Sequence, residues 1–335
     1  MPRALITGVT GMVGSHLTDF LIENTDWDIY GMARWRSPLD NILHHSKLIN
    51  SGQRLRLIYG DLTDDSSLRA AIKESRPDYV FHLAAQSFPL TSFTAPMQTF
   101  ETNINGTFRL LDAIREFAPH ARIHVCSSSE VFGRVPREFI PIKEDTPFHP
   151  ASPYAISKVG TDLVGKFFSE AYGLHVIITR MFTHTGPRRG DIFAESTFAK
   201  QIAMIEAGLI DPVIQVGNLN SLRTFADVRD AVRAYFLCLT RDIPSGSVFN
   251  IGGTHTSTVG EMLDNLIALS SHKTFNVQED PNRMRPIDAD LQVPDTSAFR
   301  NLTGWQPEIS FEKTMNDLLE YWRERVSTVG SALQR

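Results

Sequence analysis

The stretch from Ala4 to Gly14 reads Ala-Leu-Ile-Thr-Gly-Val-Thr-Gly-Met-Val-Gly and decides the fold of this chain. Its apolar start predicts a buried strand, and its three glycines have the spacing of a dinucleotide-binding turn that opens an amphipathic helix. Glycines let the backbone approach a pyrophosphate, whose charge then lies at the N-terminus of that helix. On its own, the motif would indicate no more than a tight turn. Between a strand and a helix it predicts dinucleotide binding by Gly8, Thr10, Gly11, Met12, Val13 and Gly14.

The end of the second predicted strand indicates which dinucleotide binds. This strand, residues 28–32, runs into Ala33-Arg34-Trp35-Arg36, so that arginines and no carboxylate stand at its end. A carboxylate at this point bonds the ribose 2′-hydroxyl of NAD, whereas an arginine accommodates the 2′-phosphate of NADP. We therefore predict NADP as the cofactor, held by Arg34 and Arg36, although surface arginines are also common in solvated loops.

Strands and helices alternate from residue 3 to about residue 180. This rhythm predicts an α/β fold, a Rossmann-like doubly wound parallel sheet with ligands at the carboxyl ends of its strands. Residues 1–180 are expected to form the NADP-binding domain, joined by returning segments such as 213–252. Residues 181–330 are expected to form mainly a smaller C-terminal α/β substrate lobe. Further cofactor contacts are expected after the third and fourth strands, from Asp61, Leu62, Leu83, Ala84, Ala85 and Ser87.

A serine cluster and a Tyr-x-x-x-Lys motif form the predicted catalytic group. Ser128 follows the fifth strand, and Tyr154 and Lys158 lie one turn apart on a helix that Ser152 caps. A phenol has a pKa of about 10, and a neighbouring ammonium favours the phenolate. Lys158 is therefore expected to lower the pKa of Tyr154, which can then exchange protons with a substrate oxygen that Ser128 holds.

Composition excludes other classes of protein. The 335 residues carry a formal net charge of −5 without a basic block, which argues against a nucleic-acid partner. No apolar stretch approaches the ~18 residues of a membrane span. Cys126 and Cys238, the two cysteines, offer neither a disulfide framework nor a zinc site, and no metal is predicted. A soluble, cytoplasmic protein is expected.

Several motifs resemble the extended short-chain dehydrogenase/reductases that act on nucleotide sugars, and the resemblance covers essentially the whole chain. Within that superfamily the chain is similar to the GDP-mannose 4,6-dehydratases and to the neighbouring GDP-4-keto-6-deoxy-mannose reductases. The motifs are Leu-Ala-Ala-Gln-Ser-Phe at 83–88, Ser-Ser-Glu-Val-Phe-Gly at 128–133, Thr-Pro-Phe-His-Pro at 146–150, Gly-Pro-Arg-Arg-Gly at 186–190, Val-Gly-Asn-Leu-Asn at 216–220, Arg-Thr-Phe-Ala-Asp-Val at 223–228 and Gly-Trp-Gln-Pro at 304–307.

The resemblance implies roles for particular residues. Tyr154 is the base on the sugar 4-hydroxyl, Lys158 is its partner, and Glu130 matches the carboxylate that removes the proton at C5. A proton beside a carbonyl is acidified, which is why a fixed carboxylate suits that step. Arg223 and Arg285 match contacts to the nucleotide diphosphate or ribose. The remaining implied contacts are His184 and Arg189 for the cofactor, and Ser87, Ser128, Ser129, Thr183, Lys200, Val216, Asn218 and Asp288 for the substrate.

Some features depart from the dehydratase pattern. Phe182-Thr183-His184 stands where both related families have Phe-Asn-His, and the segments 193–201 and 281–307 are more like the reductases. The long loop from Arg34 to Gln53 is dehydratase-like. The resemblance therefore implies a 4,6-dehydratase for GDP-mannose or a related GDP-sugar, with a 4-keto-sugar reductase or a 4-epimerase as alternatives. A non-catalytic NADP sensor is disfavoured because Ser128, Tyr154 and Lys158 are intact.

Apolar residues on more than one face of two helices indicate self-association. The helices over 105–117 and 152–172 each carry more apolar surface than one contact with the sheet would cover. In the family these two helices form a four-helix dimer interface. A homodimer or homotetramer is therefore expected, with complete burial of these helices under the second lobe as the alternative.

Overall fold

The computed structural model describes residues 1–287 and 289–330 of the chain. The strands are β1 Arg3–Thr7, β2 Asp28–Ala33, β3 Leu55–Tyr59, β4 Tyr79–His82, β5 Arg122–Cys126, β6 His175–Met181, β7 His184–Thr185, β8 Val213–Val216, β9 Leu222–Asp227, β10 Val248–Ile251, β11 His255–Thr258, β12 Asn276–Glu279 and β13 Leu291–Gln292. Their order along the chain alternates with helices up to β6, as the sequence predicted.

The α-helices are α1 Met12–Asn24, α2 Ser46–Ser51, α3 Asp65–Ser75, α4 Pro89–Thr94, α5 Pro96–Phe100, α6 Gly106–Phe117, α7 Pro153–Tyr172, α8 Ala194–Glu206, α9 Val228–Thr240, α10 Val259–Ala268, α11 Ser297–Thr303 and α12 Phe311–Val329. A π-helical turn, Glu101–Asn105, precedes α6. Helix α7 begins where the sequence predicted, because the Ser152 hydroxyl accepts from the Ala155 amide and Pro153 needs no amide partner.

A seven-stranded, fully parallel sheet is the centre of the fold. Its strand order is β10-β6-β5-β4-β1-β2-β3. The order reverses direction between β1 and β4, where a crevice opens at the carboxyl ends of the strands. These findings confirm the predicted α/β, Rossmann-like class.

Helices cover both faces of this sheet. On one face α1 and α9 bury Leu17, Leu21 and Tyr235, and on the other α3 and α6 bury Leu68 and Leu110. Strands with helices on both sides are buried on both faces, which explains the continuous apolar runs of β1 and β6. In the part of the chain that the structure describes, no helix is both long and apolar enough to cross a membrane.

The C-terminal half adds two small sheets. Strand β9 lies between β11, to which it is antiparallel, and β13, to which it is parallel, and it also pairs with β7. Strands β8 and β12 form a parallel pair. Helices α8, α10 and α12 pack around a third apolar core that includes Phe198, Met262 and Leu318. This lobe faces the carboxyl ends of the large sheet and closes the crevice from one side.

Candidate active site

One cleft of about 1900 Å³ joins the carboxyl ends of the parallel strands to the C-terminal lobe. Pockets for a single small molecule span about 300–1000 Å³. The cleft is therefore large enough for a dinucleotide and a second, substrate-sized ligand together. Among the residues that the sequence predicted, it is lined by Gly8, Thr10, Gly11, Met12, Val13, Gly14, Arg34, Asp61, Leu62, Leu83, Ala84, Ala85, Ser87, Ser128, Ser129, Glu130, Tyr154, Lys158, Thr183, His184, Arg189, Lys200, Asn218, Arg223 and Arg285.

The glycine turn has the shape of a pyrophosphate cradle. Gly8 has φ +74, and a Cβ there would lie 2.9 Å from the Ala84 amide nitrogen. A Cβ on Gly14 would lie 2.3 Å from the Gly8 carbonyl oxygen, so only glycine lets α1 pack so close to the turn. Helix α1 begins after Gly11 with no side-chain cap and no acidic residue in its first turn. Its first amides are thus available to an anion.

Buried hydrogen bonds fix the segment after β4 against this turn. The Thr7 hydroxyl accepts from the amides of Leu83 and Ala84, both at 3.1 Å, and pairs with His82 Nδ1 at 2.9 Å. Asn103, in the π-helical turn, accepts a hydrogen bond from the Gln86 amide through Oδ1 and donates one to the Gln86 carbonyl through Nδ2. Its Nδ2 also donates to the Ser157 hydroxyl of α7 at 2.8 Å. Asn103 thereby couples the predicted cofactor segment to the helix that carries Tyr154. Asn103 was not predicted from the sequence, since its partners Gln86 and Ser157 lie far from it along the chain.

The two arginines after β2 occupy different positions. Arg34 lines the cleft, whereas Arg36 is exposed and lies outside its lining. The predicted contact of Arg36 with the 2′-phosphate stays a prediction. Arg36 lies in a turn in which the Ser37 amide donates to the Arg34 carbonyl. Ser37 and Asn41 also line the cleft. Asn41 donates to the Thr10 carbonyl at 3.0 Å, which anchors this loop to the glycine turn. With Arg34 in the cleft, these residues fit NADP.

Ser128, Tyr154 and Lys158 come together in the cleft as the sequence predicted. Tyr154 is hydrogen-bonded to Ser128. The Ser92 hydroxyl accepts from the Tyr154 amide at 3.0 Å, so the first turn of α7 is fixed. Lys158 Nζ donates to the Cys126 carbonyl at 2.7 Å, at the end of β5. An ammonium has three donors, and Lys158 also lines the cleft.

The predicted lowering of the Tyr154 pKa is wrong. Burial raises the pKa of the Tyr154 phenol well above its ordinary value, and the Cys126 and Glu130 groups add to that rise. The hydrogen bond with Ser128 and the charge of Arg189 lower the pKa of Tyr154. Burial lowers the pKa of Lys158 as well. Arg189, which also lines the cleft, is one positive charge that favours the phenolate.

Arg189 is itself fixed by its neighbours. Its Nε donates to Glu195 Oε1 at 3.1 Å, and its guanidinium carbon lies 3.5 Å from the centre of the Phe193 ring. Its charge also lowers the pKa of His184, to about 3, although burial is the larger cause. His184 is therefore neutral, and its Nδ1 lies 3.2 Å from the Phe182 carbonyl oxygen.

Glu130 faces the same part of the cleft as Tyr154. It lies in a short 3-10 turn, Ser129–Phe132, and its amide donates to the Ser128 hydroxyl at 3.2 Å. Its carboxylate forms an ion pair with Arg285, with Oε1 and Nη1 3.4 Å apart. A carboxylate and a phenol thus line the same part of the cleft, where each can exchange a proton with a bound ligand.

The lobe side of the cleft carries the predicted substrate residues. Lys200 Nζ donates to Asp191 Oδ2 at 2.9 Å, and Asn218 donates to the Ser221 hydroxyl at 3.0 Å. Val216 is corrected: its side chain is fully buried in the lobe core and does not line the cleft. Alternation along β8 explains this position, since Ile214 and Val216 both point inward. The predicted Asp288 lies outside the described residues.

A second polar cluster lies behind the glycine helix. His44 Nε2 and His45 Nε2 lie 2.8 Å and 2.6 Å from Asp19 Oδ1, and Arg188 Nη1 donates to Asp19 Oδ2 at 2.7 Å. These hydrogen bonds and the Arg188 charge hold the pKa of Asp19 well below its usual range against the effect of burial. Because Arg188 supplies positive charge to this carboxylate, we interpret the cluster as an anchor for the loop that carries Arg34.

Comparisons with known proteins agree with this geometry. Residues 5–318 match the family model described as GDP-mannose 4,6 dehydratase. A GDP-mannose 4,6-dehydratase from Yersinia enterocolitica is 32% identical over 95% of this chain and 93% of its own length. A GDP-mannose 4,6 dehydratase from Arabidopsis thaliana is 34% identical over 95% and 88%. Among solved structures, RMD from Pseudomonas aeruginosa in complex with NADPH superposes with a TM-score of 0.81 at 27% identity, over 97% of this chain and 100% of that one. The chain belongs to the GDP-mannose 4,6-dehydratase family, as its motifs predicted.

Proposed function

We propose that this protein removes water from GDP-mannose or a closely related GDP-sugar and releases the 4-keto-6-deoxy sugar. Membership in the family makes the chain an NADP-dependent nucleotide-sugar lyase of the short-chain dehydrogenase/reductase superfamily. The observation that supports the specific reaction is the meeting of Ser128, Tyr154 and Glu130 in one cleft. A cleft of that size also has room for the sugar nucleotide beside the cofactor.

Oxidation at C4 is the proposed first step. Ser128 holds the 4-hydroxyl, and Tyr154 accepts its proton while the C4 hydrogen leaves as hydride. Bound NADP, which the glycine turn and Arg34 would hold, would supply the hydride acceptor for C4 and the hydride donor for C6, so that no net reductant would be consumed. The proton transfer requires a lower phenol pKa than the ligand-free protein has. The Arg189 charge and the Ser128 hydrogen bond already act in that direction.

Elimination is the proposed second step. The new C4 ketone acidifies the proton at C5, and Glu130 removes it and passes a proton to the C6 hydroxyl, which leaves as water. Tyr154, which took the proton of the 4-hydroxyl, then returns a proton to C5, so that the product differs from the substrate by one water. Glu130 is restrained by Arg285 in the protein without substrate. An incoming diphosphate competes for Arg285 and would free Glu130 for this step.

Arginines are proposed to hold the nucleotide end of the substrate. Arg223 is nine-tenths buried and donates to the Ala289 carbonyl, which orients its guanidinium in the cleft. Arg223 and Arg285 together offer the planar donors that suit a diphosphate. Asn218 is proposed to contact the base, and Thr183 and Lys200 the sugar. Thr183 stands where both related families have Asn, so experiment must decide which GDP-sugar is the substrate.

A 4-keto-sugar reductase is the second candidate. The similarity to RMD extends over all of that chain, and that protein binds NADPH. The two functions differ in their stoichiometry. Purified protein incubated with GDP-mannose and only substoichiometric NADP should release the 4-keto-6-deoxy product over many turnovers. If product forms only from a 4-keto-6-deoxy substrate, with equimolar loss of added NADPH, the reductase is correct.

The division into domains and the self-association are proposals of the same kind. We propose residues 1–180, with returning segments within 213–252, as the NADP domain, since β10 joins the large sheet. The lobe is proposed to comprise mainly residues 181–330.

An exposed apolar stripe on α7, formed by Ile156, Leu163 and Phe167, is proposed to pair two copies of the chain. Sedimentation of a monomer at micromolar concentration would contradict the dimer.

The proposed compartment is the cytoplasm. Cys126 and Cys238 are both unpaired thiols, which suits a reducing environment. Fractionation of the source cells that places the protein outside the cytoplasm would contradict this proposal.

A further inference from the structure

A polar row crosses the small sheet of the lobe. Arg223 on β9 stands in register with Ser257 on β11 and with Gln292 on β13. Residues paired across neighbouring strands point to the same face of a sheet. Arg223 and Gln292 both line the cleft. Gln292 therefore lies beside the guanidinium that is proposed to hold the diphosphate.

The side chain of Gln292 has unused hydrogen-bonding capacity. It is 1% exposed, and among the residues that the structure describes neither its Nε2 nor its Oε1 finds a partner. The neighbouring Ser257 hydroxyl is likewise buried without a partner there. Buried polar groups nearly always have hydrogen-bond partners. An unpaired side-chain amide at a ligand cleft therefore indicates that the ligand supplies its hydrogen-bond partner.

The backbone holds Gln292 in place. The Leu222 amide donates to the Asp290 carbonyl and the Ile142 amide to the Val293 carbonyl, both at 2.8 Å. Strand β13 is thus fixed on both sides of Gln292. The side chain cannot relieve its unpaired atoms by moving this backbone, and rigid placement suits recognition.

We propose that Gln292 is a specificity residue that binds a ribose hydroxyl of the substrate's nucleoside diphosphate. A phosphate oxygen only accepts hydrogen bonds and would leave Oε1 unpaired, whereas a hydroxyl both donates and accepts. Two hydroxyl-bearing groups adjoin the diphosphate, the hexose and the ribose. Because the hexose is proposed to lie at Ser128 and Tyr154, the ribose is the group left for the lobe side of the cleft at Arg223. This inference rests on the proposed function, because it takes a nucleotide sugar as the ligand of the lobe.

Calorimetric titration of the NADP-saturated protein tests the assignment without turnover. The ligands are GDP, 2′-deoxy-GDP and 3′-deoxy-GDP. Wild type should lose about tenfold in affinity, about 1.4 kcal/mol, for one of the two deoxy analogues. Gln292→Met, which is nearly isosteric, should bind GDP about tenfold more weakly and no longer discriminate against that analogue. Gln292→Leu serves as a second variant should the Met variant fold poorly.

Asn265→Leu is the matched control. Asn265 also has a buried, unpartnered oxygen but lies outside the cleft lining, so its GDP affinity should equal that of wild type. Wild-type GDP affinity in Gln292→Met, or undiminished discrimination, would overturn the inference. If wild type binds UDP and not GDP, the proposed GDP-sugar function fails, and the same comparison with the deoxy-UDP pair still decides the role of Gln292. Binding of neither nucleotide overturns both.

Discussion

At the scale of single residues, the chemistry depends on a phenol whose surroundings oppose its ionisation. Burial raises the pKa of Tyr154, and the Ser128 hydrogen bond and the Arg189 charge counteract that rise. Lys158 instead bonds the Cys126 carbonyl. The spacing of Tyr154 and Lys158 was readable from the sequence. The direction of the Lys158 amine was not, since it depends on the end of β5, some thirty residues earlier.

Tyr154→Phe should lower kcat strongly while preserving the fold. The ring and its packing remain, and only the proton-accepting oxygen is lost. General acid–base catalysis contributes about 10²–10⁴-fold, so kcat should fall within that range. NADP affinity and melting temperature should equal those of wild type. A variant with near-normal kcat would exclude Tyr154 as the base.

Arg34→Ala should weaken NADP binding selectively. Removal of one charge-assisted contact to the 2′-phosphate should cost about tenfold in affinity, or about 1.4 kcal/mol, with NAD affinity unchanged. Fluorescence titration with both cofactors measures this difference. Arg36→Ala is the control, because Arg36 lies outside the cleft lining and should have a smaller effect. Equal losses for NADP and NAD would contradict recognition of the 2′-phosphate by Arg34.

At the scale of elements, sequence periodicity located the parallel sheet well and the lobe less well. Strands β1 to β6 follow the alternation with helices that the sequence predicted from residue 3 to about residue 180. Strands β9, β11 and β13 were missed, because β9 mixes Arg and Thr with apolar residues and pairs with segments far away in the chain. The register that places Gln292 beside Arg223 is likewise a tertiary property. Val216, by contrast, could have been assigned to the lobe core from alternation along β8.

Gly14→Ala tests the contact between the glycine turn and α1. The added Cβ would lie 2.3 Å from the Gly8 carbonyl oxygen and 2.8 Å from Val9 Cα, both backbone atoms. Helix α1 must shift, so we expect NADP affinity to fall by more than tenfold and stability to fall by about 1–3 kcal/mol. Gly260→Ala is the control, because its nearest contact is 3.4 Å and alanine favours a helix. Unchanged NADP affinity in Gly14→Ala would contradict the cradle.

At the scale of the whole molecule, buried histidines should make stability depend on pH. Burial is the main cause that lowers the pKa of four of them, His16 to about 4 and His82, His124 and His184 to about 3. A histidine in the unfolded chain has a pKa of about 6.5. Below that pH the unfolded chain binds protons that the folded chain does not bind. Stability is therefore full above that value and falls as pH decreases from about 6.5 toward the folded values.

Each such histidine should contribute a loss of about 1.4 kcal/mol per pH unit in that window. Denaturant unfolding between pH 8 and pH 5 measures the slope. His124→Gln should reduce this slope by the contribution of one histidine. His120→Gln, at an exposed site, should leave the slope unchanged. Carboxylates do not account for this loss, because the lowered pKa of Asp19 affects stability only at more acidic pH. A free energy of unfolding that stays constant from pH 7.5 to pH 5.5 would show that these histidines are not buried as described.

The most direct test of the central claim uses Glu130→Gln with GDP-mannose in deuterium oxide. Wild type should release a 4-keto-6-deoxy product with solvent deuterium at C5, detected by NMR and mass spectrometry, without added reductant. Glutamine keeps the shape of Glu130 but cannot accept a proton, so the variant should lose product formation by at least 10²-fold and incorporate no deuterium at C5. NADP affinity should be unchanged. Product from Glu130→Gln at a wild-type rate, with deuterium at C5, would contradict the account.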